Sequence, residues 1–232
     1  MTTTDPVCWR SVSEEGLRFF GEMSASVSHE IRNKLAVINE KAGLVQDIAL
    51  AMKSGRSIDP DRLALQAGKI IEQIRKANQI VGALSRLAHS VDRSGIRIDL
   101  ADLIGLVVEL YGRKAAQAEI TIDAAVPADS VSLITSPFLL QGLIGACINL
   151  SMPRVDDSRI MTIAAESCSD GAVIRFQHLA GISESDTDLG GNGAGARAIL
   201  AMLGGRVSAD GRHGELVLEL TNQEEREGGS QP

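Results

Sequence analysis

Two long stretches of the chain carry apolar residues at steps of three and four. The first runs Phe20, Met23, Val27, Ile31, Leu35, Ile38, Ala42, Val45, Ala49 and Met52. That spacing predicts one long amphipathic helix. Glu14 and Glu15 stand where the start of such a helix favours negative charge, and Gly55 and Pro60 end it. The second stretch runs Leu63, Ala67, Ile70, Ile74, Ala77, Val81, Leu84 and Ala88, a heptad seam. Asp59 is placed to cap this helix, with Pro60 at its first position. A short turn containing Gly, Ser and Pro joins the two, which predicts an antiparallel hairpin. One hairpin cannot bury both stripes by itself. Two hairpins in a four-helix bundle can, so a homodimer is expected. The competing expectation is a hairpin packed on the C-terminal half of its own chain.

From Gly95 onward the pattern is mixed. Residues 96–100 read as a short strand or entry segment, and 119–126 and 131–135 alternate as strands. Residues 159–167 and 172–178 pair around Ser169-Asp170-Gly171, and 206–209 and 215–221 form a hairpin through Asp210-Gly211. Helical spacing returns at 103–117, 137–152 and 194–203. The expected fold class is α+β. A helical hairpin forming a dimeric four-helix bundle precedes an α/β sandwich, with roughly five strands in a mixed sheet and three helices on one face. The expected division is a tail over 1–13, the hairpin over 14–92, the sandwich over 93–222 and a solvated, disordered tail over 223–232.

Composition narrows the chemistry. With 232 residues, 44% apolar and 23% charged, the chain is an ordinary globular one. A net charge of -7 and only six aromatics (Trp9, Tyr111 and four Phe) argue against a nucleic-acid partner. No apolar run approaches the roughly 20 residues of a membrane helix. The polar start, Met1 to Asp5, lacks the form of a secretion signal. The three cysteines are an odd count without metal-ligand spacing. These features predict a soluble, reduced, cytoplasmic protein without a membrane partner. Cys147 reads as a small core residue. His89, His178 and His213 are scattered, so no metal site is expected. His89 suits the end of the second helix, where a cation complements the dipole.

His29 is the exception to the pattern. It lies two residues after Val27 and two before Ile31, and two residues turn a helix by about 200°. The ring therefore points away from the apolar stripe, toward solvent. Asn33, one turn on, shares that outward face, and Glu30 is adjacent. A neutral imidazole becomes a better nucleophile when one nitrogen donates its proton to a carboxylate. Glu30 is placed to accept it, and Asn33 to orient a water or a phosphoryl oxygen. The three form a minimal phosphoryl-transfer set on a rigid helix.

The run Ser28-His29-Glu30-Ile31-Arg32-Asn33-Lys34-Leu35 resembles the H-box of bacterial sensor histidine kinases. That family has a dimeric helical hairpin bearing the phospho-accepting His, followed by an ATP-binding α/β sandwich. The resemblance covers about residues 14 to 222. It implies that His29 accepts phosphate, that Glu30 assists autophosphorylation, and that Glu30 and Asn33 form the E-x-x-N pattern associated with dephosphorylating a partner aspartyl-phosphate. Lys34 stands where the family usually has Pro, so the helix is expected to be less kinked.

The family's nucleotide motifs are less complete. In its N-x-x-x-N helix the second Asn holds magnesium; here Asn149 matches it, Gly145 replaces the first, and Met152 replaces the charge three positions on. In the D-x-G-x-G stretch, whose Asp recognises adenine, Gln177 takes the Asp position and only Gly181 matches. The glycine-rich Gly191-Asn192-Gly193-Ala194-Gly195 precedes a helix, and such helix starts bind phosphate through exposed N–H groups. Few residues separate Ile182 from Gly191, where the family places a longer lid. The chain also resembles histidine phosphotransferases that look like kinases without ATP binding. They are dimeric and relay phosphate between receiver aspartates. The expected function is such a phosphotransferase, exchanging phosphate between His29 and a response-regulator receiver domain, with phosphatase activity a further implication and no cofactor expected. One alternative is an active histidine kinase using Mg-ATP at Asn149, Gly191, Gly193 and Gly195. The other is a non-catalytic dimeric scaffold.

Overall fold

In the computed structural model, which describes residues 6–56, 59–125, 129–189 and 193–224, two helices stand ahead of the sandwich. Helix α1 spans Pro6–Lys53 and α2 spans Pro60–Ser90. Asp59 caps α2 as expected: its side chain accepts a hydrogen bond from the Asp61 N–H at 3.0 Å. The expected start of the hairpin at 14 needs correction, because α1 begins at Pro6. Glu14 and Glu15 consequently lie well inside the helix and not at its N-terminus. Glu14 pairs with Arg10 at 2.9 Å. The reason for the early start is a second buried stripe, Val12, Glu15, Phe19, Met23 and Ser26. It faces the sandwich, and its mixed polarity hides it from a search for apolar periodicity.

The sandwich follows in the order β1 Ile96–Asp99, α3 Leu100–Gln117, β2 Thr121–Ala125, β3 Ser132–Thr135, α4 Pro137–Ser151, β4 Ile160–Cys168, β5 Gly171–Gln177, α5 Gly193–Met202, β6 Arg206–Asp210 and β7 Glu215–Thr221. Five strands make one mixed sheet, β2-β4-β5-β7-β6, with β2 parallel to β4 and the other pairs antiparallel. Strands β1 and β3 stay outside it as a separate antiparallel pair. Alternation along the strands sets the two faces. Met161, Ile163, Ile174, Phe176, Leu216 and Leu218 are buried in the core with α3 and α4. Arg175, Gln177 and Glu215 bond to one another on the opposite face. Cys147 is a core residue, and burial pushes its thiol up to about 12.

The hairpin is tied to the sandwich at its base. Lys114 on α3 pairs with Glu22 on α1 at 2.9 Å, and Arg86 on α2 pairs with Glu109 on α3 at 2.7 Å. Buried Ser90, at the end of α2, hydrogen-bonds to buried Gln141 on α4 at 3.0 Å. The upper hairpin has no such cover. The seam of α2 splits: Ile70, Ala77 and Leu84 are partly buried, whereas Leu63, Ile74 and Val81 are 37%, 45% and 49% exposed. Packing on the same chain therefore accounts for the base of the hairpin and not for its full length.

Gln223, within the tail expected over 223–232, is bonded to the sandwich. The Gln223 N–H donates to the Ile134 carbonyl and its side-chain amide to the Met202 carbonyl, both at 2.9 Å. Residues 225–232 lie outside the described residues. Among those described, no helix is long and apolar enough to cross a membrane.

Candidate functional site

His29 is exposed on α1, and its ring makes no hydrogen bond or ion pair among the described residues. Asn33, one turn further, is exposed on the same side. The helix runs unbroken past Lys34, which supplies the backbone N–H that a proline would lack. Glu30, the next residue, is partly buried. Its Oε1 lies 3.6 Å from the Lys34 ammonium, so its polar contact is with Lys34 and not with His29. An open imidazole on a helix held at both flanks offers a nitrogen lone pair to an incoming electrophile without any backbone movement.

The residues implied for a nucleotide are differently placed. Gly195 is in the first turn of α5 and is buried. A Cβ there would lie 2.6 Å from the Glu15 Cβ and 2.8 Å from its Oε2. The glycine thus serves close approach of α1 to α5. The Glu15 carboxylate, held by the Nε and Nη2 of Arg18, lies over that first turn, where negative charge is favourable. A phosphate arriving there would meet a carboxylate of its own sign. Gly193 opens α5, and Gly191 lies outside the described residues.

Gly145 is glycine for a steric reason as well. A Cβ would stand 2.7 Å from the Tyr111 hydroxyl and 3.0 Å from the Phe19 ring. Fully buried Tyr111 donates to the Gly145 carbonyl at 3.0 Å and accepts from the Asn149 side-chain amide at 3.1 Å. Burial moves the Tyr111 hydroxyl well above its ordinary value, so it remains a neutral donor. Gln177, which the resemblance sets against adenine, donates to Glu215 at 2.8 Å on the face of the sheet away from the helices. The short link after Ile182 holds a single 3-10 turn, Glu184–Asp188, capped by Ser183 and tied to Arg154 through Asp186. Taken together, the described ones among these residues are a poor fit to Mg-ATP. Glu15 packs against Gly195, Gln177 is engaged by Glu215, and Met152 supplies no charge.

No family model and no curated protein matches the sequence. Solved structures show a partial likeness. Histidine kinase AdeS of Acinetobacter baumannii is 15% identical, with 83% of this chain and 97% of that chain covered and a TM-score of 0.46. The ATP-binding domain of PrrB from Mycobacterium tuberculosis is 18% identical, over 56% of this chain and 99% of that one, with a TM-score of 0.42. Full-length ShkA in complex with AMPPNP is 13% identical, over 80% and 46%, with a TM-score of 0.45.

Three residues that sequence reasoning passed over shape the site: Glu15, Tyr111 and Lys34 as a partner of Glu30. Only the last left a readable signal, since Glu followed by Lys four residues later is the favoured ion-pair order on a helix. Replacing Gly195 by Val is expected to force α1 and α5 apart. The cost should be about 1–3 kcal/mol of stability, as for overpacking elsewhere. Urea unfolding measures it, and an unchanged midpoint would contradict the close approach.

Proposed function

We propose that the chain is a histidine phosphotransferase of two-component signalling that works as a homodimer in the cytoplasm. His29 takes phosphate from, or returns it to, the aspartate of a response-regulator receiver domain. In the forward step an imidazole nitrogen attacks phosphorus and the bond from phosphorus to the aspartyl oxygen breaks. The electron pair leaves with the carboxylate, and the phosphoryl group rests on the ring. The reverse step runs through the same atoms. Asn33 is placed to orient a phosphoryl oxygen, or a water where the phosphate is lost to solvent, and Glu30 to accept a ring proton.

The observation that carries this reading is an open His29 on the same helix whose Glu15 packs against Gly195 in the first turn of α5. An accessible imidazole suits a phosphoryl acceptor, and a carboxylate beside that turn disfavours a triphosphate there. The resemblance of Ser28 to Leu35 to the H-box supports the same assignment.

Two incubations test it. Label from a panel of phosphorylated receiver domains is expected to reach His29. Titration with Mg-ATP is expected to give no binding in the micromolar range and no label on the protein. A micromolar dissociation constant with label on His29 would establish a kinase instead. Receiver binding without phosphate uptake would establish a scaffold.

A further inference from the structure

Lys34 forms the one polar contact that Glu30 makes among the described residues. Both side chains are about three-quarters covered, at 25% and 26% exposure, which reduces screening of their attraction. Glu30 is turned by about 100° from His29 around the helix, and Lys34 lies one turn beyond it. The pair therefore draws the carboxylate along α1, away from the imidazole.

Resting on the reading of His29 as the phosphoryl acceptor, we propose that Lys34 is a positioning residue for the transfer. It holds Glu30 off the His29 ring and releases it when an anionic partner group takes the ammonium instead. A carboxylate that accepts the proton of one ring nitrogen makes the other nitrogen a better nucleophile. While Glu30 is paired with the ammonium, its carboxylate is drawn along the helix and its charge is partly offset, so the resting ring works unassisted. A lysine suits such an exchange: its ammonium is a compact charge on a flexible stem, able to move between anions without a fixed fork geometry. The phosphoryl group and the acidic side chains around it bring the competing negative charge. Assistance from Glu30 then arises as the donor arrives.

Phosphoramidate, a small chemical donor, isolates the effect from any receiver. The imidazole nitrogen attacks its phosphorus, the phosphorus–nitrogen bond breaks, ammonia leaves, and the ring keeps one proton on its other nitrogen. The rate at His29 is read by mass spectrometry of the peptide carrying it. His213 provides the internal reference, because it is exposed and already paired with Asp210, at 2.7 Å. Lys34→Met is expected to raise the His29 rate about fivefold, the effect of one net hydrogen bond. Adding Glu30→Gln to Lys34→Met should remove that gain, and Lys34→Arg should restore the wild-type rate. The His213 rate should not change in any variant.

Equal rates in Lys34→Met and wild type would overturn the proposal. So would a gain that survives Glu30→Gln, since the effect would then not pass through the carboxylate. The relay reading fails separately: receivers would deliver no phosphate to His29 even while the phosphoramidate rates follow the expected pattern.

Discussion

A His29→Ala chain is expected to fold and associate as the wild type does and yet to accept no phosphate from a phosphorylated receiver. The ring is exposed and has no polar partner among the described residues, so its removal leaves neither a cavity nor an unpaired group. Alanine is also the better helix former. Surface substitutions of this kind stay within about 0.5 kcal/mol. Chemistry behaves differently, because a covalent relay without its nucleophile has no second route. Uptake should therefore fall to background. The measurement is acid-labile phosphate on the protein after incubation with a labelled receiver, alongside thermal unfolding of both chains. Undiminished phosphate in His29→Ala would place the acceptor at another ring, and His89, His178 and His213 would be the next to replace.

Ile74→Asp should have the other large effect, and its size depends on whether two chains associate. In a single chain Ile74 is 45% exposed, so a carboxylate there would remain largely hydrated and cost little. In a four-helix bundle the same position lies in the seam, where an unpaired carboxylate costs several kcal/mol. A loss of about 4 kcal/mol would weaken dimerisation about a thousandfold. The exposed apolar surface makes the second case the expected one. Leu35, Leu63, Ile74 and Val81 are exposed large apolar residues, and the last three share one side of α2 by helical spacing. Below them the seam continues through Ala88 and Val91 into a groove of about 1150 Å³ that Leu17 and Phe20 also line. Sedimentation velocity over a range of concentrations decides the matter. A wild type that sediments as a monomer throughout, with Ile74→Asp unfolding at the same temperature, would rule the bundle out.

Much of the architecture was legible before any coordinates, because it depends on local pattern. Periodicity placed both hairpin helices, Asp59 and Pro60 marked the start of the second, and alternation located the strands to within a few residues. The outward direction of His29 followed from helix geometry alone, since a two-residue offset from a buried stripe leaves little choice of face. The heptad seam of α2 was equally plain, although the chain by itself partly covers only three of its eight residues.

What the tertiary structure decided concerns surfaces that meet across long sequence separations. Glu15 against Gly195 joins residues 180 positions apart, and no local rule makes a glutamate in the middle of a helix a cover for another helix's first turn. Gly145 looked like a lost asparagine; packing shows that Tyr111 and Phe19 leave no room for a Cβ. Gln177 looked like a weakened adenine contact, but strand register turns it to the far face, toward Glu215. The early start of α1 belongs with these. Its N-terminal turns bury a stripe of mixed polarity that only the sandwich makes into an interface. Sequence thus determined the elements and the outward face of His29, because backbone periodicity is local. The packing of Glu15 against Gly195 was decided by side chains brought together only when the elements packed.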